Sequence, residues 1–269
     1  MTPSASGVTS SETLRRSPAE HLEIVAIEVA SIAAVYVRSE HGSAKAAGTK
    51  SSPTDVVTET DLASESLIRD QLRARCPGSS IVGEEYGATV GANNVRWIVD
   101  PIDGTVNFLY GLPVVSISIA ATINDVTVAG AVVDMVNGDA YSATLGGGSR
   151  CNQQPLRSST ETDVERSLVG TGFAYEASVR AEQAQTLQRL LPACRDIRCM
   201  GSAALNLCWV AAGLLDGYFE RNIKLYDYAA GELIAREAGA IVTLPTKSGD
   251  GLAFAAAPGI AADLRELIS

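Results

Sequence analysis

Apolar residues near the start of the chain recur at helical spacing. From Pro18 onward, Leu22, Val25, Ala26, Val29, Ile32, Ala33 and Tyr36 fall on one stripe at steps of three and four, which predicts an amphipathic helix. Residues 1–17, rich in Ser, Thr and Pro, read as a solvated tail. The small-residue stretch Gly42–Pro53, carrying Lys45 and Lys50, reads as a loop. A second helix is expected from about Asp61 to Arg75, with Thr58 or Thr60 as its cap.

Beyond this helix the pattern changes to strands: Ser80–Val82, Val95–Asp100, Val114–Thr122, Val126–Asp134 and Asp139–Thr144. Asn137-Gly138 joins the last two and is a strong hairpin signal. Pro101 has no N–H to give to a ladder, so the strand before it is expected to end at Asp100. Strands near 167–173, 195–200, 215–221, 240–244 and 252–256 then alternate with helices over 178–191, 202–212, 228–238 and 260–268. Two helices, an antiparallel run and then an alternating stretch predict an α/β protein of stacked layers. Its two halves would span about 18–144 and 145–269, which suits a chain of 269 residues at roughly 150 per domain.

Composition narrows the function. With 46% hydrophobic and 19% charged residues the chain can bury a sizeable core, which excludes a mostly disordered protein. No apolar run reaches the ~18 residues of a membrane span, and the N-terminus lacks the basic and apolar regions of a secretory signal. A net charge of −10 disfavours direct contact with nucleic acid or anionic lipid. Five cysteines without a C-x-x-C pair read as free thiols in a reducing cytoplasm. The two histidines, His21 and His41, lie on or just after the first helix, away from every motif, so no Ser–His–Asp arrangement can be argued. Gly146-Gly-Gly-Ser149 has no following Gly-Lys-Ser/Thr and reads as a hairpin loop, and the Ser116/Ser118 alternation as one face of a strand.

The candidate chemistry is carried by carboxylates. In Asp100-Pro-Ile-Asp103-Gly-Thr105 the proline turns the chain so that Asp103 can face back towards Asp100. Two carboxylates so placed repel unless a cation separates them, and hard oxygen donors, with the Ile102 carbonyl as a third, suit Mg²⁺ or Mn²⁺. Gly104 and Thr105 stand at an expected helix start, where N–H groups favour phosphate; the plainer reading is a turn with Asp103 as a cap. Glu84 and Glu85 follow a strand, and Asp61 and Asp227 precede or open helices. Singly these are surface acids or caps. Converging on one crevice, they can hold two or three cations and clamp a phosphoryl group.

Lys50-Ser-Ser-Pro-Thr-Asp-Val-Val-Thr-Glu-Thr-Asp61, Gly83-Glu84-Glu85, Asp100-Pro-Ile-Asp103-Gly-Thr105 and Asp227-x-Ala-Ala-Gly231 together resemble the inositol monophosphatase family, over the chain from about residue 20 to its end. The resemblance implies a five-layer αβαβα sandwich, a homodimer, Mg²⁺ dependence, hydrolysis of small phosphate monoesters and inhibition by Li⁺. Carried over by motif, Glu84, Asp100 and the Ile102 carbonyl would hold one ion, and Asp100, Asp103 and Asp227 a second. Glu84 would help to hold a third. Asp61 and Thr105 would orient the attacking water, and the Gly104 and Thr105 N–H groups would hold the phosphate. Gly201-Ser202-Ala203 and Glu220 resemble segments that bind substrate hydroxyls; a surface acid at a strand end is the plainer reading of Glu220. Tyr226 stands where the family usually has Trp, and Cys151-Asn-Gln-Gln replaces its usual Asn-Gly turn. Inositol monophosphate is the leading substrate, and histidinol phosphate, fructose 1,6-bisphosphate and 3′-phosphoadenosine 5′-phosphate are alternatives within the class. A regulatory binding role, known among bacterial relatives, is the alternative outside it.

Overall fold

The computed structural model describes residues 16–42, 46–50, 54, 56–245 and 251–269. Residues 1–15 of the expected tail, and Lys45, lie outside these. The first half runs α1 (Pro18–Ser39), β1 (Ala46–Thr49), β2 (Val56–Thr58), α2 (Glu59–Arg75), β3 (Ser80–Gly83), β4 (Gly87–Thr89), β5 (Val95–Asp103) and α3 (Thr105–Tyr110). The meander β6 (Ser116–Ile123), β7 (Val126–Asp134), β8 (Ala140–Thr144), β9 (Gly148–Cys151) and β10 (Gln154–Pro155) follows. Then come β11 (Leu168–Thr171), α4 (Ala177–Leu190), β12 (Asp196–Cys199), α5 (Ala203–Ala211), β13 (Gly217–Arg221), α6 (Leu225–Glu237), β14 (Ile241–Thr243), β15 (Leu252–Ala256) and α7 (Ala261–Ile268).

Eight strands form one sheet in the order β10-β9-β8-β7-β6-β5-β3-β4, and five form another in the order β12-β11-β13-β15-β14. The apolar stripe of α1 (Leu22, Val25, Ala26, Val29, Ala33) packs with Ile68 and Leu72 of α2 against one face of the large sheet. The opposite face presents Ile98, Ala120, Val132, Tyr141 and Ala143 to α5 and α6, whose other side meets Tyr218 and Ala255 of the small sheet and Leu215 just before β13. A third core joins Val169, Phe219 and Phe254 to Leu190 of α4 and Leu264 of α7. The layers are therefore helix, sheet, helix, sheet, helix, the expected αβαβα sandwich. Because α5 and α6 are covered on both sides, α5 is apolar nearly all round, with Ala203 to Cys208 all buried.

Two local expectations need correction. The stretch Gly42–Pro53 is not all loop, since Ala46–Thr49 pairs antiparallel with β2. Nor does β5 end at Asp100. Asp100 pairs with Ser118 and Asp103 with Ser116, so one extra residue is accommodated between them. Pro101 sits inside this bulge, where a missing N–H breaks no ladder bond, and the strand resumes at Asp103. The five cysteines are unbridged.

Candidate active site

The site is assembled around the bulge of β5 and the first turns of α2. Thr58 caps α2, and Asp61, at the third helical position, closes a capping box by accepting from the Thr58 N–H at 2.9 Å and from the Thr58 hydroxyl. The other Asp61 oxygen accepts from Thr105 Oγ1 at 3.0 Å, which also lies 3.0 Å from the Ile102 carbonyl. One turn on, Ser64 Oγ donates to the Pro101 carbonyl at 3.1 Å. Gly104 adopts φ 99°, a left-handed turn that glycine takes without strain and that points the chain into α3.

Asp103 points away from solvent onto the start of α5. Its carboxylate accepts from Ala204 N at 2.8 Å, Ala203 N at 3.2 Å, Ser202 Oγ at 2.5 Å and Ser116 Oγ at 3.3 Å. Ser202 is the N-cap of α5, so a carboxylate from the large sheet meets the positive end of the middle-layer helix. Asp100, equally buried, accepts the Ile102 N–H at 3.1 Å and otherwise faces acids. Burial first, then Glu84, Asp103 and Asp227, push its carboxyl well above the usual carboxylate range. Asp227 reaches back to the Lys224 N–H at 2.5 Å at the start of α6, yet burial and its acidic neighbours raise it as well.

Glu84 is pushed up to about 7 by burial, against the opposing pull of Lys50. The Lys50 ammonium lies 2.7 Å from Glu84 and 2.6 Å from Glu85. Glu220 is also raised to about 7 by burial, although Tyr218 Oη donates to it at 2.7 Å. It lines a cleft with Gly172, Phe173 and Gln183.

Glu84, Asp100, Asp103 and Asp227 thus reach one electrostatic neighbourhood from three separate segments. Among the described residues, no three such side chains are already close enough to hold a metal ion. The reason lies in what engages them: Lys50 takes Glu84, α5 takes Asp103, and the Lys224 N–H takes Asp227. The donor chemistry still fits a hard divalent cation, because these acids raise one another's pKa, and a shared positive charge relieves that cost.

Sequence reasoning did not foresee the parts played by Lys50, Glu65 and Ser116. Lys50 lay in an expected loop and Ser116 in a plain strand alternation. Glu65 belongs to an i, i+4 pair with Arg69, a spacing that reads as a solvated helix face. Only its burial shows otherwise.

The sequence profile described as "Inositol monophosphatase family" matches residues 19–268. Inositol-1-monophosphatase of Mycobacterium leprae is 46% identical over 90% of this chain and 91% of its own length. Nus factor SuhB of Pasteurella multocida is 41% identical over 72% of this chain and 73% of its own. The solved structure of Mycobacterium tuberculosis SuhB superposes with a TM-score of 0.79 at 41% identity, covering 93% of this chain and 96% of that one. Layered fold, ordered acidic motifs and relatives matched along most of their length agree: the chain belongs to the inositol monophosphatase family and is a phosphomonoesterase.

Proposed function

We propose that the protein hydrolyses a small phosphate monoester, myo-inositol 1-phosphate before others, at the acidic crevice between β5, α2 and α6, with Mg²⁺ as its metal. One observation carries this reading: Asp100 is buried among Glu84, Asp103 and Asp227 in an arrangement that is costly until a cation enters. Glu84, Asp100 and the Ile102 carbonyl would hold one ion, Asp100, Asp103 and Asp227 a second, and Glu84 would share in a third. Bound there, Mg²⁺ supplies positive charge against the phosphate oxygens and makes water acidic enough to be deprotonated near neutral pH.

The chain's own residues do the rest. Asp61 accepts the Thr105 hydroxyl proton, which leaves the Thr105 oxygen free to accept a hydrogen bond from the attacking water. Burial raises Asp61 above the usual carboxylate range, which suits it to take up a proton. The Gly104 and Thr105 N–H groups at the start of α3 would steady the phosphate. Glu220, Ser202 and Ala203 would meet the hydroxyl-bearing remainder, and an acid at that position favours a polyol over a nucleotide. Phosphate release from a dozen phosphomonoesters, with Mg²⁺ and with EDTA, tests the reading. Turnover of inositol phosphate that is abolished by EDTA is the expected result, and full turnover in EDTA would refute it.

The reading includes a homodimer, Li⁺ inhibition and a reducing, cytoplasmic setting that suits five unbridged cysteines. Among the described residues no helix is long and apolar enough to cross a membrane. The likeness to a Nus factor favours a second role, as a regulatory binding protein. The net charge of −10 argues for a protein partner rather than direct RNA contact. A gel shift and a pull-down without Mg²⁺ separate the two.

A further inference from the structure

We infer that Glu65, braced by Arg69, is a positioning residue that sets the Gly83–Tyr86 turn and with it the carboxylate of Glu84; this rests on the metal-site reading above. Glu65 is fully buried on α2, one turn beyond Asp61. Its Oε2 accepts the Glu85 N–H at 2.6 Å, and its Oε1 accepts the Tyr86 N–H at 3.2 Å. The carboxylate therefore binds the two backbone N–H groups that immediately follow Glu84. Arg69 Nε lies 2.7 Å from Glu65 Oε1, and the same guanidinium donates to Thr89 Oγ1 at 3.0 Å and to the Gly87 carbonyl. One ion pair thus grips both the turn and the strand that leaves it.

The fit leaves no slack. A Cβ at Gly83 would come 2.1 Å from Glu65 Oε1, so the turn can close on the carboxylate only with glycine there. Charge-assisted bonds from a fully buried carboxylate fix a turn more firmly than packing alone. Groups that orient a ligand without touching the ion change metal affinity by about 10–100-fold when removed. The three successive contacts of α2, Asp61 to Thr105, Ser64 to Pro101 and Glu65 to the Glu84 turn, make this helix the template against which the acidic segments are registered.

The test compares the full chain with Glu65→Gln and with Glu23→Gln. Glu23 is also buried and ion-paired, to Arg150 at 3.6 Å, but belongs to α1 and takes no part in the site. Mg²⁺ binding by calorimetry and Mg²⁺-dependent phosphate release are read in parallel. Glu65→Gln should raise the half-saturating Mg²⁺ about tenfold in both measurements, with KM at saturating Mg²⁺ changed less than twofold. Glu23→Gln should move neither, whatever it does to the melting temperature. Unchanged Mg²⁺ affinity in Glu65→Gln, or an equal shift in Glu23→Gln, overturns the proposal. A wild type that binds Mg²⁺ yet releases no phosphate would defeat the functional reading, while calorimetry still decides the role of Glu65. Should Glu65→Gln fail to fold, hydrogen exchange in the wild type decides: protected Glu85 and Tyr86 amides support the proposal, and freely exchanging ones overturn it.

Discussion

Asp100 and Asp103 lie three residues apart on one strand, and burial raises both carboxyls, but hydrogen-bond donors oppose the rise at Asp103 while acidic neighbours add to it at Asp100. Asp103 is surrounded by donors from Ser116, Ser202, Ala203 and Ala204, two of them backbone N–H groups at the start of α5. Asp100 has one backbone donor and three acidic neighbours. The bulge at Pro101 brings the two residues, opposite Ser118 and Ser116, onto one face of the sheet, and the groups that meet each of them there differ. Burial alone therefore says little about what a carboxylate does. The partners decide whether it ties the fold together or waits for a cation.

The sharpest test of this contrast is Asp100→Asn. Activity should fall on the order of 10³-fold or more, because several kcal/mol of charge stabilisation depends on that carboxylate. The metal-free melting temperature should stay level or rise, since one repelling acid has been neutralised, and most of the Mg²⁺-induced rise should disappear. A large drop in metal-free stability would show that Asp100, too, is a structural acceptor and would erase the distinction.

Asp103→Asn should behave in the reverse manner without metal. An amide presents one acceptor to donors that had two charged oxygens, a loss of roughly 3 kcal/mol, or about 6–12 °C at ~2–4 °C per kcal/mol for a chain of this size. Thermal melts in EDTA would check it. A variant as stable as wild type would mean that the helix start does not depend on the charge.

The pH dependence of metal-free stability is smaller and follows from the raised groups. Glu84 and Glu220 titrate near 7 in the folded chain and near 4.5 when unfolded, so between those values the folded state holds more protons. Stability from these groups is present at low pH and is lost as pH rises through about 7. Asp100, raised by burial and its acidic neighbours, adds to the loss. Melting curves from pH 5 to 8 in EDTA should therefore fall, fall less steeply in Asp100→Asn, and flatten when Mg²⁺ is added. Curves that rise over this range would contradict the raised values.

The smallest effect concerns the substrate end. Glu220→Gln should weaken kcat/KM for inositol phosphate by about 1.5–3 kcal/mol relative to β-glycerophosphate, by loss of a charged acceptor for a hydroxyl. Equal losses on both substrates would make Glu220 structural.

Much of this was readable in the chain because each strong element repeats one period. The α1 stripe, the β6–β8 meander and the alternating second half follow from spacing alone. The short strands do not. Ala46–Thr49 and Gly87–Thr89 are small, exposed residues, and partners elsewhere in the fold, not their own pattern, make them strands. The acidic motifs could be located by order and resemblance, whereas the donors that hold them could not. Nothing in the run Glu-Thr-Asp-Leu-Ala-Ser-Glu separates Glu65 from a surface glutamate, because its burial depends on a turn twenty residues away. The bulge is a similar case. Proline announces an interruption, but only the register with β6 shows that the strand resumes.

The shared middle layer has a consequence for how the protein is made. The strands that bear the second apolar face of the large sheet, β5 to β8, are made well before their cover exists: β8 ends at Thr144 and α6 begins at Leu225, roughly eighty residues later. At ~5–20 residues per second of synthesis, Ile98, Ala120, Val132, Tyr141 and Ala143 wait about 4–16 s on the ribosome with that face uncovered. Until α5 and α6 emerge, the nascent chain carries an apolar face of four strands with nothing of its own to lay over it. A chain released early, between the meander and α6, is therefore a substrate for chaperones rather than a small stable phosphatase half.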